Sequence, residues 1–324
     1  MEGAVLVRSH PRCLEHDPGL GHPETRRRLE VVLDALSSGG GGWLVDREAP
    51  LPPDGDTLGM LRWIHDGDYI ERVRAASGRG HGFLDSEDCR VSRGTFDAAV
   101  AAAGLALQSA LDLVNDRLER AFLVLRPPSH HAERSRARGY CFFNSVALAA
   151  EVVVSAWGEP VVIADFDAHH GNGTQNHFLD RPDVGYVSVH AFPSFPGTGT
   201  ADEVGEGLAA GSVRNIPLAP GADDATFCSA FETALDEMAS RLHPAAIVVS
   251  AGFNGHVTDP VGGLRLTEAG YRRLTAAVTA TAQRWSRGRV LSILEGGFNL
   301  QALANCARIH VEELAAGEPE KAHA

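Results

Sequence analysis

The stretch Val161-Val162-Ile163-Ala164-Asp165-Phe166-Asp167-Ala168-His169-His170-Gly171-Asn172-Gly173-Thr174 changes abruptly from β-branched apolar residues to carboxylates, imidazoles and glycines. It reads as a buried strand that opens into a site. In an extended chain the side chains alternate faces, which sets Asp165, Asp167 and His169 on one side and Phe166 and Ala168 on the other. Two carboxylates and an imidazole gathered away from water are costly unless a cation compensates them. Oxygen and nitrogen donors together suit a borderline divalent ion such as zinc. The plainer alternative is a turn whose Asp and His satisfy backbone groups. A second kind of chemistry lies in Arg126-Pro127-Pro128-Ser129-His130-His131, where two prolines stiffen the approach to adjacent imidazoles. Paired histidines suit proton transfer once acceptors such as Asp165 or Asn172 orient them. The dipeptide alone is common on surfaces; the Asp167 and His169 run beside it is what makes it informative.

Residues of this kind need a scaffold, and the chain repeats one grammar. Short apolar runs at 4–7, 121–125, 161–164, 186–189, 245–249 and 290–294 predict strands. Helical spacing marks 25–36, 63–76, 144–157 and 224–242, and Phe96, Val100, Ala103, Leu107, Leu111 and Val114 predict a long amphipathic helix. Strands alternating with helices imply an α/β fold, with a parallel, doubly wound sheet flanked by helices. Polar, glycine-rich stretches follow five of the strands, at 126–131, 165–174, 190–200, 251–256 and 295–299. All five are expected at the carboxyl ends, where open α/β sheets bind ligands. His65 and Tyr69 fall on or near a predicted helix and are expected to be structural. The loop at 16–24, with Asp17 and His22, leads into the first helix, and 37–42 reads as a flexible break. No internal repeat or domain boundary is evident, so a single domain over 1–316 with a disordered tail at 317–324 is expected.

Composition narrows the class. With 324 residues, 44% hydrophobic and 22% charged, the chain can bury a large core. A net charge of −13 offers no basic stripe to release phosphate counterions, so no nucleic-acid partner is expected. The five cysteines are scattered and never in C-x-x-C spacing, which argues against a disulfide framework or zinc ribbon and for a reducing compartment. No uninterrupted run of 18 apolar residues occurs, and the first ten residues are too short and charged for a secretory segment. A cytoplasmic protein with no membrane partner is expected. Neither a Gly-x-Gly-x-x-Gly opening a helix after the first strand nor a P-loop occurs, so nucleotide cofactors find no support.

Taken together, Arg126-Pro127-Pro128-x-His130-His131-Ala132, Gly139-Tyr140-Cys141-Phe142-Phe143-Asn144, the 165–174 run, Phe195-Pro196-Gly197-Thr198-Gly199, Ser250-Ala251-Gly252-Phe253 and Leu294-Glu295-Gly296-Gly297 resemble the histone deacetylase family. The bacterial class II-like deacetylases and acetylpolyamine amidohydrolases are the most similar branch, and His22-Pro23-Glu24 and Asp259-Pro260 extend the match over nearly the whole chain. The resemblance implies an arginase/deacetylase-type fold and one zinc ion held by Asp167, His169 and position 254. It also implies His130 and His131 as paired acid and base, oriented by Asp165 and Asn172. A potassium ion would draw on Asp165, Asp167, His169, Ser188 and Val189. Tyr140 and Phe195 would wall a narrow acyl-lysine tunnel, with His22, Gly296 and Gly297 beside it. Arginase-like dimanganese enzymes share the Asp-Ala-His run but need a further Asp where this chain has Gly171, so one ion is expected rather than two.

Tyr140 departs from the family's usual Phe by one hydroxyl, and two further positions depart from the family more seriously. Asn254 stands where it has its third zinc ligand, an Asp, and Phe298 stands where it has a catalytic Tyr. The first change removes a negative charge and an oxygen donor, with His256 and Asp259 as the nearby residues able to substitute. The second keeps a ring and loses an oxyanion donor, a loss that typically costs about 2.7 to 4 kcal/mol of transition-state stabilisation. The implied function is a zinc-dependent amidohydrolase that removes an acyl group from an acyl-lysine, an acetylpolyamine or a small metabolite, weakened at these two positions. The alternatives are an inactive binder of acylated amines, natural or engineered, and an enzyme retuned for a specialised metabolite.

Overall fold

The structure is a computed structural model that describes residues 4–37 and 41–316. The expected tail at 317–324 and residues 38–40 of the expected break lie outside the described residues. Ten strands are described: β1 (Val5–Arg8), β2 (Trp43–Asp46), β3 (Phe83–Leu84), β4 (Ser86–Arg90), β5 (Arg120–Leu123), β6 (Val161–Asp165), β7 (Val184–Ala191), β8 (Val213–Leu218), β9 (Ala246–Ala251) and β10 (Val290–Leu294). Nine α-helices accompany them: α1 (Arg27–Ser37), α2 (Asp54–Ile64), α3 (Gly67–Arg79), α4 (Thr95–Val114), α5 (Ser145–Trp157), α6 (Asn172–His177), α7 (Asp224–Leu242), α8 (Glu268–Trp285) and α9 (Leu300–Ala316). Eight strands form one parallel sheet in the order β2-β1-β5-β10-β9-β6-β7-β8, while β3 and β4 make a separate antiparallel pair. Helices α4 and α5 pack on one face with α2 and α3 beside them, and α1, α7, α8 and α9 pack on the other.

The sheet is therefore the doubly wound α/β arrangement that the alternating pattern predicts. Strands β5, β6, β7, β9 and β10 are buried throughout, as covered parallel strands must be, which is why apolar residues dominate their sequences. These same five are adjacent in the sheet, in the order β5-β10-β9-β6-β7. Their five following loops, the polar stretches singled out in the sequence, consequently converge on one crevice at the carboxyl ends.

Two expectations need correction. Residues 63–76 are not one helix: α2 ends at Ile64 and α3 begins at Gly67, with His65 and Asp66 extended between them. Tertiary hydrogen bonds draw that link out of the helix. The Asp66 N–H donates to Arg134 O at 3.0 Å, and the His65 ring lies 2.9 Å from both Glu133 O and Asn144 N. Helix α4 is buried nearly all round rather than along one stripe, because α2, α3, α5, β5 and β10 surround it. It is long and apolar enough to cross a membrane by composition, yet most of it is covered by the rest of the fold.

Candidate functional site

The loop after β6 leaves the extended conformation at once, and its own carboxylates shape it. Asp165 Oδ1 accepts the Asp167 N–H at 3.1 Å, and Asp167 Oδ1 accepts the His169 N–H at 2.9 Å. Asp165 is drawn downward by Tyr186 of β7, whose hydroxyl donates to Asp165 Oδ2 at 3.1 Å. The expectation that Asp165, Asp167 and His169 share one face is thus corrected. Asp167 and His169 line the cavity, while Asp165 lies beneath His130. Gly171 is forced by the same packing, since a Cβ there would lie 2.4 Å from Asp165 Oδ2 and 2.6 Å from Tyr186 Oη. No further ligand can stand at that position.

The loop after β5 delivers the imidazoles. His130 Nδ1 is 3.0 Å from Asp165 Oδ2, and His131 Nδ1 is 2.9 Å from Asn172 Oδ1. Asn172, the first residue of α6, in turn donates to Glu133 Oε1 at 2.6 Å. Gly173 lets α6 press against this loop: its N–H and that of Thr174 donate to His130 O, and a Cβ on Gly173 would sit 2.2 Å from Ala132 O. Glu295, at the end of β10, closes the back of the loop by accepting the Ser129 N–H at 2.6 Å and the His130 N–H at 3.2 Å.

Above these groups is a cavity of about 260 Å³. His130, His131, Asp167, His169, Asn254 and Gly296 form its buried end, and the partly exposed rings of Tyr140, Phe195 and Phe298 wall it toward solvent. Tyr140 and Phe298 meet edge to face with centroids 5.8 Å apart, and Phe195 stands edge to face 5.0 Å from His131. A Cβ on Gly139 would lie 2.3 Å from His131 Cδ2, so only glycine lets the Tyr140 loop approach. His22 does not line the cavity; it packs 4.7 Å from the Tyr140 ring. Gly297 is likewise outside the lining, below Phe298, with a positive φ of 125°. Ser188 pairs in register with Asp165 and bonds His190, and Val189 follows it within β7, away from the cavity.

The two imidazoles are electrostatically divided. Burial opposes a charge on His130, but the carboxylates of Asp165, Asp167 and Glu295 outweigh it and push its pKa up to about 10. Burial, with His130 and His169 nearby, pushes His131 well below its ordinary value. Against burial, His130 and His169 hold Asp167 ionised, whereas burial raises Asp165 and takes Glu295 up to about 7. The arrangement places a proton donor and a proton acceptor side by side at the end of the cavity.

A divalent ion between Asp167, His169 and residue 254 would need lone pairs from all three. Asn254 instead directs its amino group inward: Nδ2 lies 2.7 Å from Asp167 Oδ1 and 3.1 Å from His169 Nδ1. Its Oδ1 accepts the Ala168 N–H at 3.0 Å, and that backbone donor fixes which end of the amide points in. Neither proposed substitute reaches the site. His256 is held by Thr258 and Glu268, while Asp259 accepts the N–H groups of Val261, Phe298 and Asn299. Among the described residues no three His, Cys, Asp or Glu side chains gather as a metal-ligating group. The residues present do not fit a zinc ion.

Several contributors were not singled out as site residues, although Glu24 and Arg126 fall within the quoted motifs. Asp88, in β4, lines the cavity and accepts the Gly139 N–H at 2.9 Å. Buried Glu24 bridges Arg28 and Arg126, and Arg28 donates to Gly297 O at 2.7 Å and also to Glu295 O while its guanidinium lies 5.0 Å from the Phe298 ring. The pairing of Glu24 with Arg126 and the reach of Arg28 to the loop after β10 span about a hundred positions or more and were not legible in the sequence.

A profile of the histone deacetylase domain matches residues 22–314. A probable deacetylase of Archaeoglobus fulgidus is 34% identical over 90% of this chain and 80% of its own length. A histone deacetylase-like amidohydrolase of Pseudomonas aeruginosa is 35% identical over 90% and 76% respectively. The crystal structure of the HDA15 HD domain superposes with a TM-score of 0.88 at 31% identity, covering 98% of this chain and 90% of that one. With the family profile spanning most of the sequence and the five-loop crevice set in the same arginase/deacetylase-type fold, the chain belongs to the histone deacetylase family.

Proposed function

We propose that this chain binds acylated primary amines, such as an acyl-lysine side chain or an acetylated polyamine, in the tunnel between Tyr140 and Phe195, and hydrolyses them far more slowly than a fully equipped family site. The observation that carries this reading is the contrast within one cavity. Its aromatic walls and the His130–His131 pair are complete, whereas the two positions facing a bound carbonyl hold groups with nothing to give it: an amide already engaged at Asn254 and a bare ring at Phe298. The apolar walls take the methylene arm and exclude water. His130 and His131 then offer a donor and an acceptor to the buried amide, which supports recognition and a slow acid–base hydrolysis. A monovalent cation behind the pocket would draw on Asp165, Asp167, His169, Ser188 and Val189, the β6–β7 register setting Ser188 beside Asp165.

Isothermal titration with an Nε-acetyl-lysine peptide and with an acetylated polyamine, alongside their free amines, tests the binding. Saturable binding of the acylated forms in preference to the free ones is expected, with acetate release close to background. Absence of binding to any acylated amine would remove the proposal, and turnover of roughly 1 per second or faster, the range of ordinary enzymes, would show that hydrolysis survives intact.

A further inference from the structure

We infer that the Asn254 side-chain amide takes the place of a metal ion, holding Asp167 and His169 together so that the pocket is assembled and stable without zinc. The inference rests on the acyl-amine pocket proposed above and says what supports its end wall. A buried ionised carboxylate must be met by donors or by a cation. Asp167 is fully met by hydrogen bonds: Asn254 Nδ2 at 2.7 Å and the His169 N–H at 2.9 Å serve Oδ1, and the Gly296 N–H at 2.9 Å serves Oδ2. His169 Nδ1 lies 3.1 Å from the same Asn254 amino group and 3.3 Å from Asp167 Oδ1. Asp167 and His169, the two groups a cation would engage, are therefore held by one amide and the Gly296 N–H, and that amide is locked.

The lock comes from Ala168. Its N–H donates to Asn254 Oδ1, so reversing the amide to offer an oxygen inward would set an amino group against that N–H. The neighbouring glycines bring their backbone close against these groups as well. A Cβ on Gly296 would lie 2.4 Å from Asn254 Nδ2 and 2.5 Å from Asp167 Oδ2, and one on Gly252 would lie 2.1 Å from Asp167 Oδ2. Asn254 thus ties the loop after β9 to the loop after β6, and the loop after β10 closes over the tie. A carboxylate at 254 would invert this logic: it would accept the Ala168 N–H with one oxygen and face Asp167 with the other, leaving two buried anions that require a cation.

Metal content and thermal unfolding separate the possibilities. Wild-type protein dialysed against excess zinc is expected to retain far less than one equivalent, and its Tm should change little between EDTA and zinc. Asn254→Asp should take up about one zinc per chain, with a Tm that falls in EDTA and rises with zinc. Asn254→Leu, which keeps the volume and loses the donor, should lower Tm in a way zinc does not reverse. Because Asn254-Gly255 and Asn172-Gly173 are both Asn-Gly pairs prone to deamidation, peptide mapping that locates the change and separates Asp from isoaspartate must accompany the metal assay. Zinc that scales with the fraction carrying Asp at 254 in an aged preparation supports the inference. Stoichiometric zinc in fully amidated wild type, or a wild-type Tm that drops sharply in EDTA, overturns it while leaving acyl-amine binding to stand or fall by titration.

Discussion

At the scale of single residues, the cavity turns on two functional groups. Phe298 keeps a ring against Tyr140 and Arg28 but has no hydroxyl, and Asn254 has its amide committed to three partners. Catalytic groups that act on one carbonyl are strongly non-additive, because a donor for developing charge helps only when charge develops. Phe298→Tyr alone is therefore expected to leave acetate release near background. The same change added to Asn254→Asp in the presence of zinc should raise kcat by about a hundred- to thousandfold over Asn254→Asp alone. Steady-state release of acetate from an acetyl-lysine peptide checks both, and an equal gain in the two backgrounds would contradict the coupling. Much at this scale was legible in the sequence: the spacing marked His130, His131, Asp167 and His169, and the departures at 254 and 298 stood out against the family pattern. The orientation of the Asn254 amide was not legible, because it is set by the N–H of Ala168 in a loop 86 positions away. Nor was the withdrawal of Asp165, which depends on the Tyr186 hydroxyl of a neighbouring strand.

At the scale of elements, the site is as firm as the connections that hold five loops in register. The central strands were readable because full burial makes them predominantly apolar. Trp43–Asp46 and Val213–Leu218 were not, since strands at the two edges of the sheet mix buried and exposed positions over a few residues. The break between α2 and α3 was hidden for a different reason: helical periodicity runs straight through it, and only tertiary bonds reveal it. His65 is the pin of that break. Its Nδ1 lies 2.9 Å from Glu133 O and its Nε2 accepts the Asn144 N–H at 2.9 Å, so it links the α2–α3 junction to the start of α5 and to the loop carrying Glu133, the partner of Asn172. His65→Ala would strand the buried Asn144 N–H, costing about 1–3 kcal/mol, and would leave the half-buried Glu133 carbonyl with only the Arg136 N–H at 3.5 Å. A lowered denaturant midpoint with an unchanged m-value is the expected result, together with weaker acyl-amine binding as Asn172 loosens. Unaltered binding in a destabilised variant would show that the junction supports the fold and not the pocket.

At the scale of the whole molecule, the same buried histidines set how the fold responds to acid. His16, His65 and His310 lie far apart in the chain and are all enclosed. Burial is the largest influence on each, taking His16 and His65 down to about 4 and His310 down to about 3. The partners of two of them fit the neutral ring: His65 must donate at one nitrogen and accept at the other, and His310 is held between Thr275 Oγ1 and Ser292 Oγ, both at 2.8 Å; at His16 burial outweighs the Glu24 carboxylate 3.6 Å from Nε2. In the unfolded chain these rings bind a proton near pH 6.5, while in the folded protein they remain neutral to about pH 4 or below. The unfolded state therefore holds more protons throughout that interval, and stability rises with pH across it. The contribution is complete above pH 6.5 and is lost as pH falls toward 4, at about 1.4 kcal/mol per pH unit for each ring that stays neutral only in the fold. Glu295, raised to about 7, acts in the opposite sense over this interval but is one group against three, so urea midpoints measured at pH 6.5, 5.5 and 5.0 are expected to fall at each step. That fall precedes the range in which ordinary carboxylates take up protons, so it reports the imidazoles. A midpoint that stays flat down to pH 5.0 would mean that these rings are protonated within the fold, and that the hydrogen bonds assigned to His65 and His310 are made by cations.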